Sequence, residues 1–223
     1  MGMFYGHNQA LPSKIGELGL LYNMYTVLDS RNIAPNGCHV PTWSEIITLA
    51  GYLGGFYIAG GKLKEVGTVH WDSPNSGASD LYSFTAVGGG KRSSSNGEFA
   101  FIKQRGVHWT TSLAFTDYYK TMLLEYNSEF IYNSGGINEA LVVYAREGCS
   151  IRCICDTSDT TITDVDGNVY DVITIGTQRW LSKNLKVKKY RNGDNIPNVT
   201  SNSSWIGLTT GAWCYYDNDP NNF

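Results

Sequence analysis

Charge is scarce in this sequence. Charged residues make up 17% of the 223, against about a quarter in an ordinary soluble domain. The net charge is −3 and no long basic block occurs, which argues against a nucleic-acid binder driven by phosphate charge. Long apolar runs are missing too. None approaches the ~20 residues that a membrane helix needs, so no membrane insertion is expected. The first residues, Met1 to His7, lack the basic start and apolar stretch of a signal peptide. Met1-Gly2 begins like a myristoylation site, but Gly6 stands where Ser or Thr is required. Composition thus excludes a membrane span, a coiled coil and a disordered tail.

What is present points elsewhere. Hydrophobic residues reach 42%, enough for a packed core. There are 15 Tyr and 25 Gly, with many Asn and Ser. Such a mixture reads as a loop-rich β protein with a polar, uncharged surface, close to the chemistry of antibody paratopes.

The 5 cysteines are Cys38, Cys149, Cys153, Cys155 and Cys214. An odd number cannot all pair within one chain. Cys149, Cys153 and Cys155 cluster, but without a CxxC spacing or a nearby His a zinc site is disfavoured. Strand alternation gives a simpler account: the three thiols and Ile151 share one face, and Ser150, Arg152 and Ile154 share the other.

Along the chain, residues 1–18 read as an extended arm. Leu20 to Val27 is a strand candidate. Thr42 and Glu45 form a capping box after Pro41, opening a helix whose stripe is Ile46, Leu49, Ala50 and Leu53 and whose end is Gly54-Gly55. Lys62 to Val66 is expected to be a second short helix after Gly60-Gly61. From Gly67 on, short aromatic and β-branched runs alternate with Gly, Ser, Asn and Asp. Strands are expected over 107–112, 119–126, 141–144 and 150–155. After a break at Asp156 to Asp159, strands over 161–163 and 169–170 flank the Asp164 to Asn168 turn, and 172–181 forms a hairpin around Gly176-Thr177. This order of elements implies an α+β fold with antiparallel sheets.

Several ordered motifs carry a resemblance. They include Asp164-Val-Asp-Gly-Asn-Val-Tyr170, Asn184-Leu-Lys186, Lys189-Tyr-Arg-Asn-Gly-Asp194 and Leu208-Thr-Thr-Gly-Ala-Trp-Cys-Tyr-Tyr216. Others are Leu21-Tyr22-Asn23, Gly37-Cys-His-Val-Pro-Thr42, Ala59-Gly-Gly-Lys-Leu-Lys-Glu65, His70-Trp71 and Ile151-Arg-Cys153. Over about residues 19–223 the chain resembles the Fibrobacter succinogenes major paralogous domain family. The resemblance implies a C-type-lectin-like α+β fold: twisted antiparallel sheets, one or two short helices, many loops. It implies a binding or structural module of bacterial surfaces, secreted proteins or phages. Two departures stand out. Cys38 replaces a position that is more often Trp. In the family the Asp-Gly-Asn-Val-Tyr hairpin comes first and the Arg-Cys strand last, whereas here the order is reversed. Residues 19–156 are then the back part of a domain and 157–223 the front part, which completes a neighbouring subunit or the same core. The resemblance also places Cys214 beside Cys153 or Cys155, with Cys153–Cys214 as the candidate disulfide.

Chemistry is sparse. His39, His70 and His108 follow no metal spacing, and the resemblance implies that all three are scaffold positions. No Gly-x-Ser-x-Gly elbow occurs. Gly88-Gly89-Gly90-Lys91 and Gly60-Gly61-Lys62 lack phosphate-loop spacing. The formylglycine-generating enzymes share the broad fold class and use a Cys pair, but no motif matches theirs. The Asp164–Asn168 turn resembles half an EF loop without its distal Glu, and the weak calcium candidates are Asp217 and Asp219. No catalytic residue, cofactor or metal is assigned. Lys183, Lys186, Lys188, Lys189 and Arg191 read as a solvated edge strand.

Two function classes emerge, neither enzymatic. The first is a structural subunit of an extracellular filament or phage virion fibre, self-assembling head to tail as segment 157–223 enters the next copy. Its interface is expected at Val169, Tyr170, Ile173, Ile175, Trp180, Leu185, Trp205, Trp213 and Tyr215. The short polar linker favours this intermolecular form over closure on the same chain, and the missing leader tilts it toward a virion, a trimmed N-terminus being the other account. The second class is an adhesion module that binds a cell-surface glycan or protein receptor through the loops of 67–138.

Overall fold

The structure is a computed structural model and describes residues 17–132 and 141–222. The first part of the chain contains β1 (Leu21–Tyr22), α1 (Met24–Leu28), β2 (Cys38–His39), α2 (Trp43–Tyr52), α3 (Phe56–Leu63), β3 (Gly89–Arg92), β4 (Phe99–Ile102), β5 (Arg105–Phe115), β6 (Tyr118–Glu125), β7 (Ile131–Tyr132), β8 (Leu141–Tyr144) and β9 (Ile154–Cys155). Then come β10 (Thr161–Thr163), β11 (Val169–Ile175), β12 (Gln178–Leu181), α4 (Asn202–Ile206) and β13 (Trp213–Cys214). The fold is α+β with mostly antiparallel sheets and short helices.

One sheet has the order β10-β11-β12-β9-β2, a second has β4-β3-β5-β6-β7 with β8 also on β6, and β1 pairs with β13. The expected α2 forms as written. Thr42 Oγ1 accepts from the Glu45 amide, and Glu45 reaches back to the Thr42 amide at 2.7 Å. Ile46, Leu49, Ala50 and Leu53 are buried, as are Trp71, Trp109 and Cys153. The hairpin around Gly176 and the strand pair around the Asp164 turn also form.

Three local readings are corrected. The strand expected over 20–27 stops at Tyr22, because Asn23 caps a helix and its side chain accepts from the Thr26 amide. The glycines expected to precede a helix lie inside α3 instead. A Cβ on Gly60 would lie 2.2 Å from the Phe130 carbonyl oxygen, and one on Gly61 2.6 Å from that of Gly77. The helix runs against backbone, so these glycines serve close approach rather than chain breaking. Finally, the strand of 150–155 shortens to Ile154–Cys155, and both of its alternating faces are buried, with Ser150, Arg152 and Ile154 as enclosed as the cysteines.

The cysteine pairing also differs. Cys38 and Cys155 form a disulfide across 117 residues, while Cys153 and Cys214 are free and buried. Cys38 and Cys155 face each other in the β2–β9 register, a cross-strand placement that brings the sulfurs together. Cys214 lies opposite Leu21 in the β1–β13 pair.

Segment 157–222 packs on the preceding residues of the same chain. Trp180 of β12 pairs with Ile154 of β9. The Leu185 carbonyl accepts from the Leu20 amide, and the Leu185 amide donates to the Ile151 carbonyl. Tyr170, Ile175, Trp180, Leu185, Trp205 and Trp213 are buried, whereas Val169 is 62% exposed. Ile173 and Tyr215 are half-buried against the core.

Candidate functional site

Two places gather polar side chains: the seam closed by 157–222, and a cleft beside the β5–β6 hairpin. At the seam, arginines from both sides reach across. Arg92 is fully buried. It donates to the carbonyls of Gly97, Val199 and Thr200 and to Asn202, and lies between Phe99 and Trp205. Arg191 reaches the other way, to the carbonyls of Ala34, Pro35 and Cys38. Arg152 donates to Asn184 and to the carbonyls of Phe84 and Leu181, and burial lowers its pKa to about 9. Guanidinium suits this work because its fixed fork of donors serves several carbonyls at once.

The histidines that the sequence offers for chemistry have side-chain partners within the fold. His108 Nε2 donates to Asn184 Oδ1, 3.1 Å away, and burial together with Arg152 pushes its pKa down to about 3. His39 sits between Glu45 at 2.8 Å and Asp156 at 3.1 Å. His70 lies 2.7 Å from Glu65. Burial raises the thiols of Cys153 and Cys214 to about 12 and that of Cys149 well above its usual value, which removes thiolate character. Asp164 accepts from the amides of Asp166 and Asn168, from the Asn168 side chain and from the Tyr170 hydroxyl, so both of its oxygens are engaged within its own hairpin. Asp219 accepts from Asn221 twice. Among the described residues no group of three or more His, Cys, Asp or Glu is placed to hold a metal. In the basic stretch, Lys183 pairs with Glu17 and Lys189 with Asp166, while Lys188 donates to the Tyr215 hydroxyl.

The cleft, of about 250 Å³, lies where β3, β5, β6 and β8 meet, lined by Lys91, Ser94, Arg105, Tyr118, Tyr144 and Glu147 among others. Tyr118 stacks on Phe115 with ring centroids 4.7 Å apart and meets Tyr144 at 5.1 Å. Lys91 lies 3.1 Å from Glu147, and Arg105 lies 2.8 Å from Glu125. Ser94 donates to Glu147 Oε1, while Glu147 Oε2 is buried and has no hydrogen-bond donor among the described residues beyond that ammonium ion pair. The closing segment holds one wall. Arg146 donates to the Tyr144 hydroxyl and to the Ile206 carbonyl, and Trp205 donates to the Arg146 carbonyl. No motif singles these residues out: Lys91, Ser94, Arg105 and Tyr118 fall within the 67–138 stretch expected to bind, while Tyr144 and Glu147 lie outside it. They come from four separated elements, and only the fold assembles them.

Similarity searches agree with the resemblance for most of the chain. The family model of the Fibrobacter succinogenes major domain matches residues 3–155. The match reaches into the arm placed outside the pattern, and residues 1–16 lie outside the described residues. It ends before 157–223, whose likeness rests on the motifs alone. No curated protein and no solved structure matches the chain. With more than half of its length matched, the chain belongs to the Fibrobacter succinogenes major domain family.

Proposed function

We propose that this member of the family is a non-enzymatic binding module with a C-type-lectin-like fold and its domain halves in swapped order, displayed on a cell surface or a virion. The observation that carries the proposal is the cleft between β3, β5, β6 and β8. Its half-exposed aromatic wall and fixed ion pairs are the mixture that recognition of a polar ligand requires. Lys91, Ser94, Arg105, Val107 and Tyr118 of its lining fall within residues 67–138, and the partner is a cell-surface glycan or protein receptor. The test is a glycan array probed with labelled full-length protein. Retention on a subset of glycans that is lost in Tyr144→Ala supports the proposal; equal retention by both proteins defeats it.

A second reading keeps the structural role. The link from Asp156 to Thr160 is mostly exposed, so the contacts that close one chain could be exchanged between copies in a fibre. Leu21 and Cys214 are register partners. In Leu21→Cys, a bond within one chain gives monomers on a non-reducing gel, and exchange gives a ladder.

A further inference from the structure

Resting on the proposed role of the cleft as a ligand site, we infer that its ligand is a neutral sugar ring bound through hydroxyl groups without a metal ion. Charge balance favours this class first. Lys91 is matched by Glu147 and Arg105 by Glu125, so neither sign is in excess. An anionic sugar would have to take a cation from its carboxylate and leave that carboxylate unpaired. A hydroxyl both donates and accepts. It can accept from the Lys91 ammonium, which is 26% exposed, while Glu147 keeps its pair.

Geometry favours it as well. Glu147 is only 9% exposed, and Ser94 fixes its Oε1 at 3.1 Å. Its Oε2 is buried beside the Lys91 ammonium, so the carboxylate acts on a ligand by orienting that partly exposed cation toward the cleft. Tyr118 and Tyr144 supply amphipathic ring faces for the apolar face of a pyranose. At about 250 Å³ the cleft falls just under the ~300–1,000 Å³ of drug-sized pockets, which suits one ring. Calcium takes about 6–8 oxygen ligands, and the cleft lining offers one carboxylate, already engaged by Ser94 and Lys91.

The test titrates full-length protein with neutral methyl hexopyranosides and with a hexuronate, by NMR and calorimetry, with calcium and with EDTA. At least one neutral glycoside is expected to bind, to shift signals of residues 91–94, 118 and 144–147, and to be indifferent to EDTA. Tyr118→Ala and Glu147→Gln should each weaken binding about tenfold, as loss of one oriented contact does, while Tyr118→Phe should retain it. Glu147→Gln and Tyr118→Phe are near-isosteric and keep the test decisive if Tyr118→Ala does not fold. Preference for the hexuronate, or loss of binding in EDTA, overturns the ligand class and leaves the cleft a binding site. Absence of binding by every saccharide, with the protein folded, overturns the cleft's role as a ligand site as well.

Discussion

The seam and the cleft use the same cations to opposite ends. At the seam, Arg92 and Arg191 spend their donors on backbone carbonyls of the facing piece. At the cleft, Lys91 and Arg105 face carboxylates and stay 26% and 37% exposed. A carbonyl partner cannot leave without unfolding the segment that carries it. A cation held by a carboxylate and left partly exposed can also serve an incoming hydroxyl. The partner, not the cation, separates a structural arginine from one available for recognition.

The largest expected effect breaks the seam. Arg92→Met removes the donor from the buried Gly97 carbonyl and from the part-buried Val199 carbonyl, each costing ~1–3 kcal/mol, so a loss of about 2 kcal/mol or more is expected in urea unfolding. A loss below ~1 kcal/mol would erase the distinction between seam and cleft. Next is the disulfide. Replacing Cys38 and Cys155 with Ala should cost ~2–4 kcal/mol, since the bond closes a long loop in the unfolded chain. Unchanged melting under reducing conditions counts against it.

The third prediction is pH dependence at the seam. His108 has its pKa depressed to about 3 from 6.5, so below pH 6.5 the unfolded chain binds a proton that the folded one refuses. Its stabilisation is present above pH 6.5 and is lost as pH falls toward about 3, at up to ~1.4 kcal/mol per pH unit. Stability measured at pH 7 and pH 5 should show this slope, and His108→Gln should flatten it. The smallest effect sharpens the contrast from the other side. Arg105→Ala at the cleft should change stability by under ~1 kcal/mol, as for other exposed ion pairs; a loss as large as that of Arg92→Met would make the cleft a second seam.

Local signals were readable where one short stretch decides the outcome. The Thr42–Glu45 box and the Gly176 turn are of this kind. α1 was missed because Tyr22 to Val27 is rich in aromatic and β-branched residues, and one capping Asn23 outweighs them. The partner of Cys155 was hidden because the β2–β9 register is set by residues over a hundred positions apart. The cleft was hidden for the same reason. Its ion pairs join β3 to the turn after β8, and the start of β5 to the end of β6.

The link from Tyr144 through Arg146 to Ile206 has a thermodynamic consequence. It ties the shape of the cleft to the docking of 157–222, so occupancy and closure are linked. A ligand that fits only the closed cleft adds RT ln(1 + [L]/Kd) to the work of detaching the segment, about 2.7 kcal/mol at a hundred times Kd. By reciprocity, whatever loosens the segment weakens the grip on the ligand by the same factor.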